Sequence, residues 1–282
     1  MRLGITAFLT DRSMAPDGFA RAVEERGFAS LFLPEHTHLP VRADTPPGLV
    51  EGVELEDYRR SLDPFVALGT AAPVTTGLRL GTGVALVAQH DPIVLAKQVA
   101  TLDYLSGGRA VLGIGFGWNR AEAADHGVPF ERRRDVVRDH VRCMQALWTQ
   151  DPASYHGEFV DLDPCWSRPK PVQQPGVPIL VGGGATDAVF GAVVDYGDGW
   201  MPVGGAGLGD ALPRLQRLAE HHGRDPAALR VVPFGTVPTA GKLDHYRSLG
   251  VSEVVLRVPA GPAGQMLAAL DALAAFVGEF GA

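Results

Sequence analysis

Short apolar runs alternate with helical patterns along the whole chain. The apolar runs are rich in Val, Ile, Leu and Phe, and most are continuous, as expected for parallel strands buried on both faces. Helical patterns fill the gaps, and several end in a glycine shortly before the next apolar run, as at Gly27 and Gly250. The pattern predicts eight strands, at residues 2–7, 29–33, 78–84, 109–114, 177–181, 197–201, 229–234 and 253–258.

Repeated strand and helix units favour an α/β fold, the closed (β/α)8 TIM barrel, over a doubly wound sheet. A chain of 282 residues suits one such barrel, and neither a linker-like stretch nor an internal repeat divides it. We therefore predict a single domain that spans residues 1–282.

Two segments interrupt the regular alternation. Residues 34–60, after the second strand, are too long and too proline-rich for a plain connection, and they predict a loop over the active site. Residues 119–176 form a predicted insertion between the fourth and fifth strands, with a small hairpin near 155–159. The insertion also contains an amphipathic helix, whose apolar face comprises Val137, Val141, Met144 and Trp148.

Charge and composition narrow the class of protein. The formal net charge is −7 and the longest basic run is Arg132–Arg134, which argues against a nucleic-acid surface and suggests three arginines on a solvated helix face. The sequence has neither a secretory leader pattern nor the roughly 18 continuous apolar residues of a membrane span. Cys143 and Cys165 lack the spacing of metal ligands. We therefore expect a cytoplasmic protein without nucleic acid or membrane partners.

Residues that follow the predicted strands are the candidates for chemistry, because reacting groups of barrel enzymes lie at the C-terminal ends of the strands. His36, after the second strand, is the favoured candidate for proton transfer or ligand contact, with backbone capping as the alternative. For His38 and His90, a functional role and backbone capping are both open. Other histidines belong to helical patterns and are expected at the surface, namely His140, His221, His222 and His245.

Glu35, His36 and His38 also have the spacing of a metal site at a strand end. Such a site needs further ligands from later strands. Those strands are followed by Gly182 and Pro202 instead, so no metal is predicted.

Two glycine-rich turns follow predicted strands. The turn Gly182–Gly184 leads into a helix and so offers backbone N–H groups and a positive helix dipole to a phosphate, unless it only makes a tight connection. The stretch from Gly113 to Gly117 lacks the third glycine of a Rossmann motif, because Trp118 occupies that place. Its glycines predict that a ligand approaches the backbone closely.

Three further side chains near the strand ends are ambiguous. Trp118 and Trp200 each suit either a core-capping role or stacking on a ligand. Glu122 belongs to the first turn of a predicted helix, where the helix dipole stabilises a carboxylate with or without a function.

Taken in order, several motifs resemble the bacterial luciferase-like superfamily, particularly its branch of oxidoreductases that use the deazaflavin coenzyme F420. The resemblance runs from residue 1 to about residue 258 and implies a (β/α)8 barrel with an insertion, in agreement with the strand count. The motifs are Leu78-Arg79-Leu80-Gly81-Thr82-Gly83-Val84, Ala100-Thr101-Leu102-Asp103-Tyr104-Leu105-Ser106-Gly107-Gly108-Arg109, Leu112-Gly113-Ile114-Gly115-Phe116-Gly117-Trp118 with Glu122, Val181-Gly182-Gly183-Gly184 and Gly197-Asp198-Gly199-Trp200-Met201-Pro202.

The resemblance implies a cofactor across the barrel mouth, with its ring near the second, third and fourth strands and its phosphate at Gly182–Gly184. It also implies a non-prolyl cis peptide near Gly83–Val84 that supports the ring. The family's acid–histidine pair matches Glu35 and His36, although some deazaflavin enzymes have Asp at the first position. Trp118 replaces a glutamate of related sugar-phosphate dehydrogenases, which argues against that substrate class.

The implied function is hydride transfer between reduced F420 and a small organic substrate, by an enzyme that forms a homodimer. His36 is the predicted proton donor and forms the predicted catalytic pair with Glu35. The predicted cofactor-binding residues are Glu35, His36, Gly83, Val84, Gly115, Gly117, Trp118, Glu122, Gly182, Gly183 and Gly184.

Three other functions remain open. An FMN-dependent luciferase-like monooxygenase would use reduced flavin and O2 and would need a separate cofactor reductase. A protein that binds flavin or deazaflavin without turnover is a second alternative, and an unrelated barrel enzyme such as a phosphate-binding lyase is a third. The sequence does not separate F420 from FMN, because the ring and phosphate contacts are shared.

Overall fold

A computed structural model describes residues 1–42 and 54–281 of the chain. Eight parallel strands form one sheet in the order β10-β1-β2-β3-β4-β7-β8-β9, and two antiparallel strands form a separate hairpin. The strands are β1 (Arg2–Thr6), β2 (Ser30–Leu33), β3 (Arg79–Thr82), β4 (Ala110–Ile114), β5 (Ala153–His156), β6 (Asp161–Cys165), β7 (Ile179–Gly182), β8 (Gly199–Met201), β9 (Arg230–Val231) and β10 (Glu253–Arg257).

Helices follow the parallel strands and cover the outside of the sheet. Several begin at a side chain that caps the first backbone N–H groups, as Asp91 does for Ile93 and Val94. The helices are α1 (Pro16–Glu25), α2 (Leu55–Arg60), α3 (Pro64–Ala71), α4 (Pro92–Ser106), α5 (Arg120–Asp125), α6 (Arg133–Thr149), α7 (Asp187–Tyr196), α8 (Leu208–His221), α9 (Ala240–Ser248) and α10 (Ala263–Phe280).

The two edges of the sheet meet and close it into a barrel. The segment after β9 completes the ring, because the N–H of Thr236 donates to the carbonyl of Val255 at 3.0 Å and the N–H of Val255 donates to Pro233 at 2.9 Å. The predicted (β/α)8 barrel is therefore confirmed. A small apolar cluster fills its interior, formed by Phe32, Val111, Leu180, Met201, Val232 and Val255.

Three strands approach each other very closely near the C-terminal end of the barrel. A Cβ atom at Gly113 would lie 2.1 Å from the carbonyl oxygen of Thr82, and one at Gly115 would lie 2.4 Å from a methyl group of Val84. A Cβ atom at Gly182 would lie 2.8 Å from the other methyl group of Val84. Glycine is therefore required at these positions by contacts within the protein.

The insertion between β4 and β7 has the predicted helix and hairpin. The apolar face of α6 is buried, including the four positions named from the sequence, and β5 pairs with β6 in antiparallel register. Asp139 on α6 fixes the hairpin, because its carboxylate accepts the hydroxyl of Tyr155 at 2.7 Å and the N–H of Phe159 at 2.8 Å. His140 is only 8% exposed, so its predicted surface position is wrong.

The long segment after β2 is only partly described. Residues 43–53 of the predicted active-site loop at 34–60 lie outside the described residues, and α2 forms the end of that loop. A lid over the site stays a prediction.

The last helix, α10, is apolar and only partly covered. Its length and its mean hydropathy of 1.3 over 18 residues would allow it to cross a membrane. One such helix is only weak evidence for a membrane span. Met266 and Leu270 are fully buried on its inner side, and the N-terminal amino group of Met1 donates to the carbonyl of Phe280 at 3.0 Å. These contacts attach the inner side of α10 to the rest of the protein.

We expect Gly113→Ala to lower the free energy of unfolding by about 3 kcal/mol or more, because the new methyl group meets a backbone oxygen that cannot move aside. Denaturant titration of the two proteins measures this difference. Gly191→Ala is the matched control, since nothing lies within 4 Å of its new methyl group. A helix-interior alanine there should raise stability by about 0.5 to 1 kcal/mol. Equal effects at the two sites would contradict the packing argument.

Candidate active site

A cavity of about 640 Å³ opens at the C-terminal ends of the barrel strands. Every residue predicted to bind the cofactor lines it except Glu122, which lies behind His36. The remaining lining is mostly apolar and aromatic, including Phe8, Phe116 and Phe234. The cavity is therefore where barrel enzymes carry out their chemistry, and its lining suits a flat apolar group.

His36 is held by a buried carboxylate. Its Nδ1 atom lies 2.9 Å from one carboxylate oxygen of Glu122 and 3.1 Å from the other, and the side chains are 7% and 1% exposed. A carboxylate accepts hydrogen bonds, so Nδ1 carries the proton in this contact and Nε2 is the remaining ring nitrogen. Asn119 positions Glu122, because its side chain caps the first turn of α5.

Glu35 has a different set of partners from its neighbour. One carboxylate oxygen accepts the N–H of Leu86 at 2.6 Å, and the other lies 2.8 Å from Nε2 of His90. Both oxygens are thus engaged, and the side chain is 2% exposed. The catalytic role predicted for Glu35 stays a prediction, whereas its contacts hold the segment after β3 in place.

Burial disfavours the charged form of His90, but the hydrogen bond and negative charge of Glu35 outweigh it. The pKa of His90 is therefore raised above its ordinary value, with a smaller contribution from the charge of Asp63. His90 also packs edge-on against the ring of Phe65 at 6.0 Å between centroids. The Glu35–His90 pair is a partly buried ion pair beneath the cavity wall.

The peptide bond between Gly83 and Val84 is cis, as the resemblance implied. Directly after it, the chain rejoins β4, because the N–H of Ala85 donates to Gly113 at 2.7 Å and the N–H of Gly115 donates to Ala85 at 2.9 Å. The side chain of Val84 fills the space left by Gly115, just after β4, and by Gly182 of β7. Gly115 thus makes room for Val84 as well as lining the cavity.

The turn Gly182–Gly184 lines the cavity beside the N-terminus of α7. Thr186 caps this helix by accepting the N–H of Val189, and nothing lies within 4 Å of a Cβ built at Gly184. The indole of Trp200 donates to the carbonyl of Gly183 at 2.9 Å and is 1% exposed. Trp200 therefore supports the turn from within the core.

Trp118 and His36 share an aromatic cluster with a residue that the sequence did not indicate. Tyr58, on α2, lies 5.1 Å from the His36 ring and 6.1 Å from the Trp118 ring. Burial raises the pKa of Tyr58, although the positive charge of Arg257 opposes this. No pattern in the long loop distinguished Tyr58, because only the tertiary fold brings α2 to the cavity.

The three consecutive arginines do not share one environment. Arg132 is a surface residue that pairs with Asp135 at 2.7 Å and with Glu158 at 2.8 Å. Arg133 and Arg134 line the cavity instead. The prediction of a wholly solvated face is therefore wrong for Arg133, which is partly buried, whereas Arg134 is exposed as predicted and also lines the cavity.

The candidate metal cluster does not converge on one point. His36 faces Glu122 and Glu35 faces His90, whereas His38 lies 3.0 Å from Asp125. Within residues 1–42 and 54–281, no group of three or more His, Cys, Asp or Glu side chains has the arrangement of a metal site.

The chain belongs to the luciferase-like monooxygenase family, whose model matches residues 17–249. Members of this family are enzymes, oxidoreductases and monooxygenases. The family membership inferred from the sequence motifs is thus confirmed. An uncharacterized protein of Mycobacterium tuberculosis is 42% identical over 278 residues, which cover 98% of each chain.

Solved structures share the fold. The coenzyme F420-dependent tetrahydromethanopterin reductase from Methanopyrus kandleri matches with a TM-score of 0.73 at 16% identity, covering 99% of this chain and 98% of that one. The monooxygenase RslO1 from Streptomyces bottropensis matches with a TM-score of 0.68 at 22% identity, covering 100% and 90%. At such low identity the likeness shows the fold alone.

The Glu35–His90 pair should make stability depend on pH. Because the pKa of His90 is raised in the folded state, its stabilising contribution is complete below the unfolded pKa and is lost as the pH rises through the folded pKa. We expect His90→Gln, which keeps a donor for Glu35 but does not titrate, to weaken the decline in the free energy of unfolding as the pH rises above about 6.5, the ordinary pKa of histidine. Denaturant titrations across this range measure it. An unchanged pH dependence in the variant would refute the assignment.

Proposed function

We propose that the protein is an F420-dependent oxidoreductase that transfers a hydride between the reduced deazaflavin and a small organic substrate. The observation that supports this function best is the contact between His36 and Glu122 at the cavity wall. A histidine whose Nδ1 is held by a buried carboxylate keeps Nε2 available to exchange a proton with a substrate oxygen.

The lining residues fit a flat ring with an anionic side chain. The cavity volume of about 640 Å³ is within the usual range for cofactor sites, and aromatic side chains surround the end near His36. Val84 would support the ring, and the turn at Gly183 and Gly184 with the N-terminus of α7 would hold the phosphate. All of these are positions where the family resemblance implies cofactor contacts.

When bound, the deazaflavin would supply or accept the hydride. His36 would hold or deliver the matching proton at Nε2, while Glu122 fixes the tautomer and stabilises the protonated ring through Nδ1. Tyr58 and Trp118 close around His36 and exclude water from this end of the cavity. Glu35 would act as a positioning residue for the wall that carries Val84, through Leu86.

The alternative is an FMN-dependent monooxygenase, which the family description and the RslO1 match support. The same turn and the same apolar walls would receive FMN, and a separate reductase would provide reduced flavin. A binding protein without turnover would not need the His36–Glu122 pair. A homodimer and a cytoplasmic location remain predictions from the sequence.

Titration of the purified protein with F420 and with FMN tests the choice of cofactor. We expect F420 to bind with a dissociation constant in the micromolar range or below and FMN to bind at least about tenfold more weakly, which corresponds to about 1.4 kcal/mol. Fluorescence quenching and difference spectra of the two chromophores measure this. Binding of FMN alone, with oxygen consumption on addition of reduced FMN, would favour the monooxygenase.

Substitution of His36 tests its role in proton transfer. We expect His36→Gln to lower the rate of oxidation of reduced F420 by trial ketones and enones by about 10²- to 10⁴-fold, with cofactor affinity changed little. His38→Gln is the matched control, because His38 is partly exposed and pairs with Asp125 outside the cavity lining. Stopped-flow absorbance follows the reaction. Equal rates for His36→Gln and the control would exclude His36 as the proton donor.

A further inference from the structure

The first turn of α6 carries two arginines, Arg133 and Arg134, that form no ion pair with the acidic residues the structure describes. Among the described residues, no carboxylate oxygen lies within 4.0 Å of a guanidinium nitrogen of Arg133 or Arg134. Neighbouring arginines differ in this respect, since Arg120 pairs with Glu131 and Arg132 pairs with two acids. This contrast is notable in a chain with a formal net charge of −7.

The position of these charges is electrostatically unfavourable without an anion. The N-terminus of a helix is already the positive end of its dipole, so arginines in the first turn of α6 add to a like charge. Burial and the charge of Arg134 both lower the pKa of Arg133, which shows that the positive charges disfavour each other. A bound anion would relieve both effects.

Contacts within the protein already orient the two side chains. Arg133 donates to the carbonyl of Phe130 at 2.7 Å and to that of Gly117 at 3.2 Å, and its guanidinium lies 3.8 Å from the centroid of the Phe130 ring. Arg134 lies over the ring of Phe116 at 5.4 Å. Both side chains line the cavity, so less conformational entropy would be lost when they bind an anion there.

The arginines and the glycine turn line the same cavity, at the N-terminal ends of two neighbouring helices. Helices α6 and α7 meet far from the cavity, where the side-chain amide of Gln145 donates to the carbonyl of Tyr196 at 3.1 Å. Because both helices line the cavity at their N-terminal ends, they run in the same direction. At the cavity end of these helices Arg134 is exposed and Arg133 is half-buried, whereas Gly182 is buried.

We propose that Arg133 and Arg134 bind the acidic chain that a deazaflavin carries beyond its phosphate. This inference rests on the proposed function, in which the turn at Gly184 takes the phosphate itself. The two arginines line the same cavity as that turn, and Arg134 is exposed to solvent, so a chain that continues beyond the phosphate could reach them. They would select F420 over FMN, because FMN ends at its phosphate and offers them no further carboxylates.

The test compares three ligands by fluorescence titration at low and high salt. They are F420 with its oligoglutamate chain, the deazaflavin phospholactate that lacks glutamates, and FMN. We expect wild-type protein to bind the glutamate-bearing form about fivefold or more tightly than the shortened form, with the difference decreasing as salt rises. Arg134→Gln, which removes the more exposed guanidinium, should reduce this preference and leave the affinity for the shortened form nearly unchanged.

Arg138→Gln is the matched control, since it removes the same charge one turn later from a side chain that pairs with Asp195 at 2.5 Å outside the cavity lining. It should keep the wild-type preference. Equal affinity of wild-type protein for both deazaflavins would overturn the inference and leave the proposed function standing. An equal loss of affinity for all three ligands in Arg134→Gln would also overturn it, by assigning the arginine to the phosphate. Binding of FMN with no binding of either deazaflavin would refute the proposed function itself.

Discussion

The close approach of β3, β4 and β7 at the mouth of the barrel is the constraint on which the site depends. Val84 occupies the space between Gly115, just after β4, and Gly182 of β7. Ala85 then donates its N–H to the carbonyl of Gly113 and accepts the N–H of Gly115. A side chain at Gly113 or Gly182 would push these strands apart. The cavity floor is thus a packed part of the core, which can hold a ring in one orientation without a flexible loop.

Two adjacent residues after β2 face opposite sides of the cavity mouth and bind different partners. Glu35 turns towards β3, where it holds the backbone of Leu86 and pairs with His90, and His36 turns towards α5, where it meets Glu122. Each histidine is therefore matched to one carboxylate, and neither carboxylate is shared. The wall that carries Val84 and the imidazole of His36 are held by separate buried pairs that originate from one strand end.

Charge is distributed unevenly around the cavity. Aromatic side chains surround His36, including Tyr58 and Trp118, with the charge of Arg257 near Tyr58, whereas Arg133 and Arg134 line the cavity at the N-terminus of α6. An apolar lining favours a flat uncharged group, and cationic side chains favour an anionic extension. The two features together suit an elongated ligand that is apolar at one end and negatively charged at the other.

The sequence by itself determined the barrel, the insertion and the family, because continuous apolar runs, glycine helix ends and the glycine-rich motifs are local signals. It also placed Glu35, His36 and the turn at Gly182–Gly184 at the mouth, since the ends of parallel strands meet there. Only the tertiary structure decided that His36 pairs with Glu122, and that Tyr58 and Arg133 reach the cavity. Such partners lie far apart in the chain, and no local pattern encodes which distant helix a side chain will face.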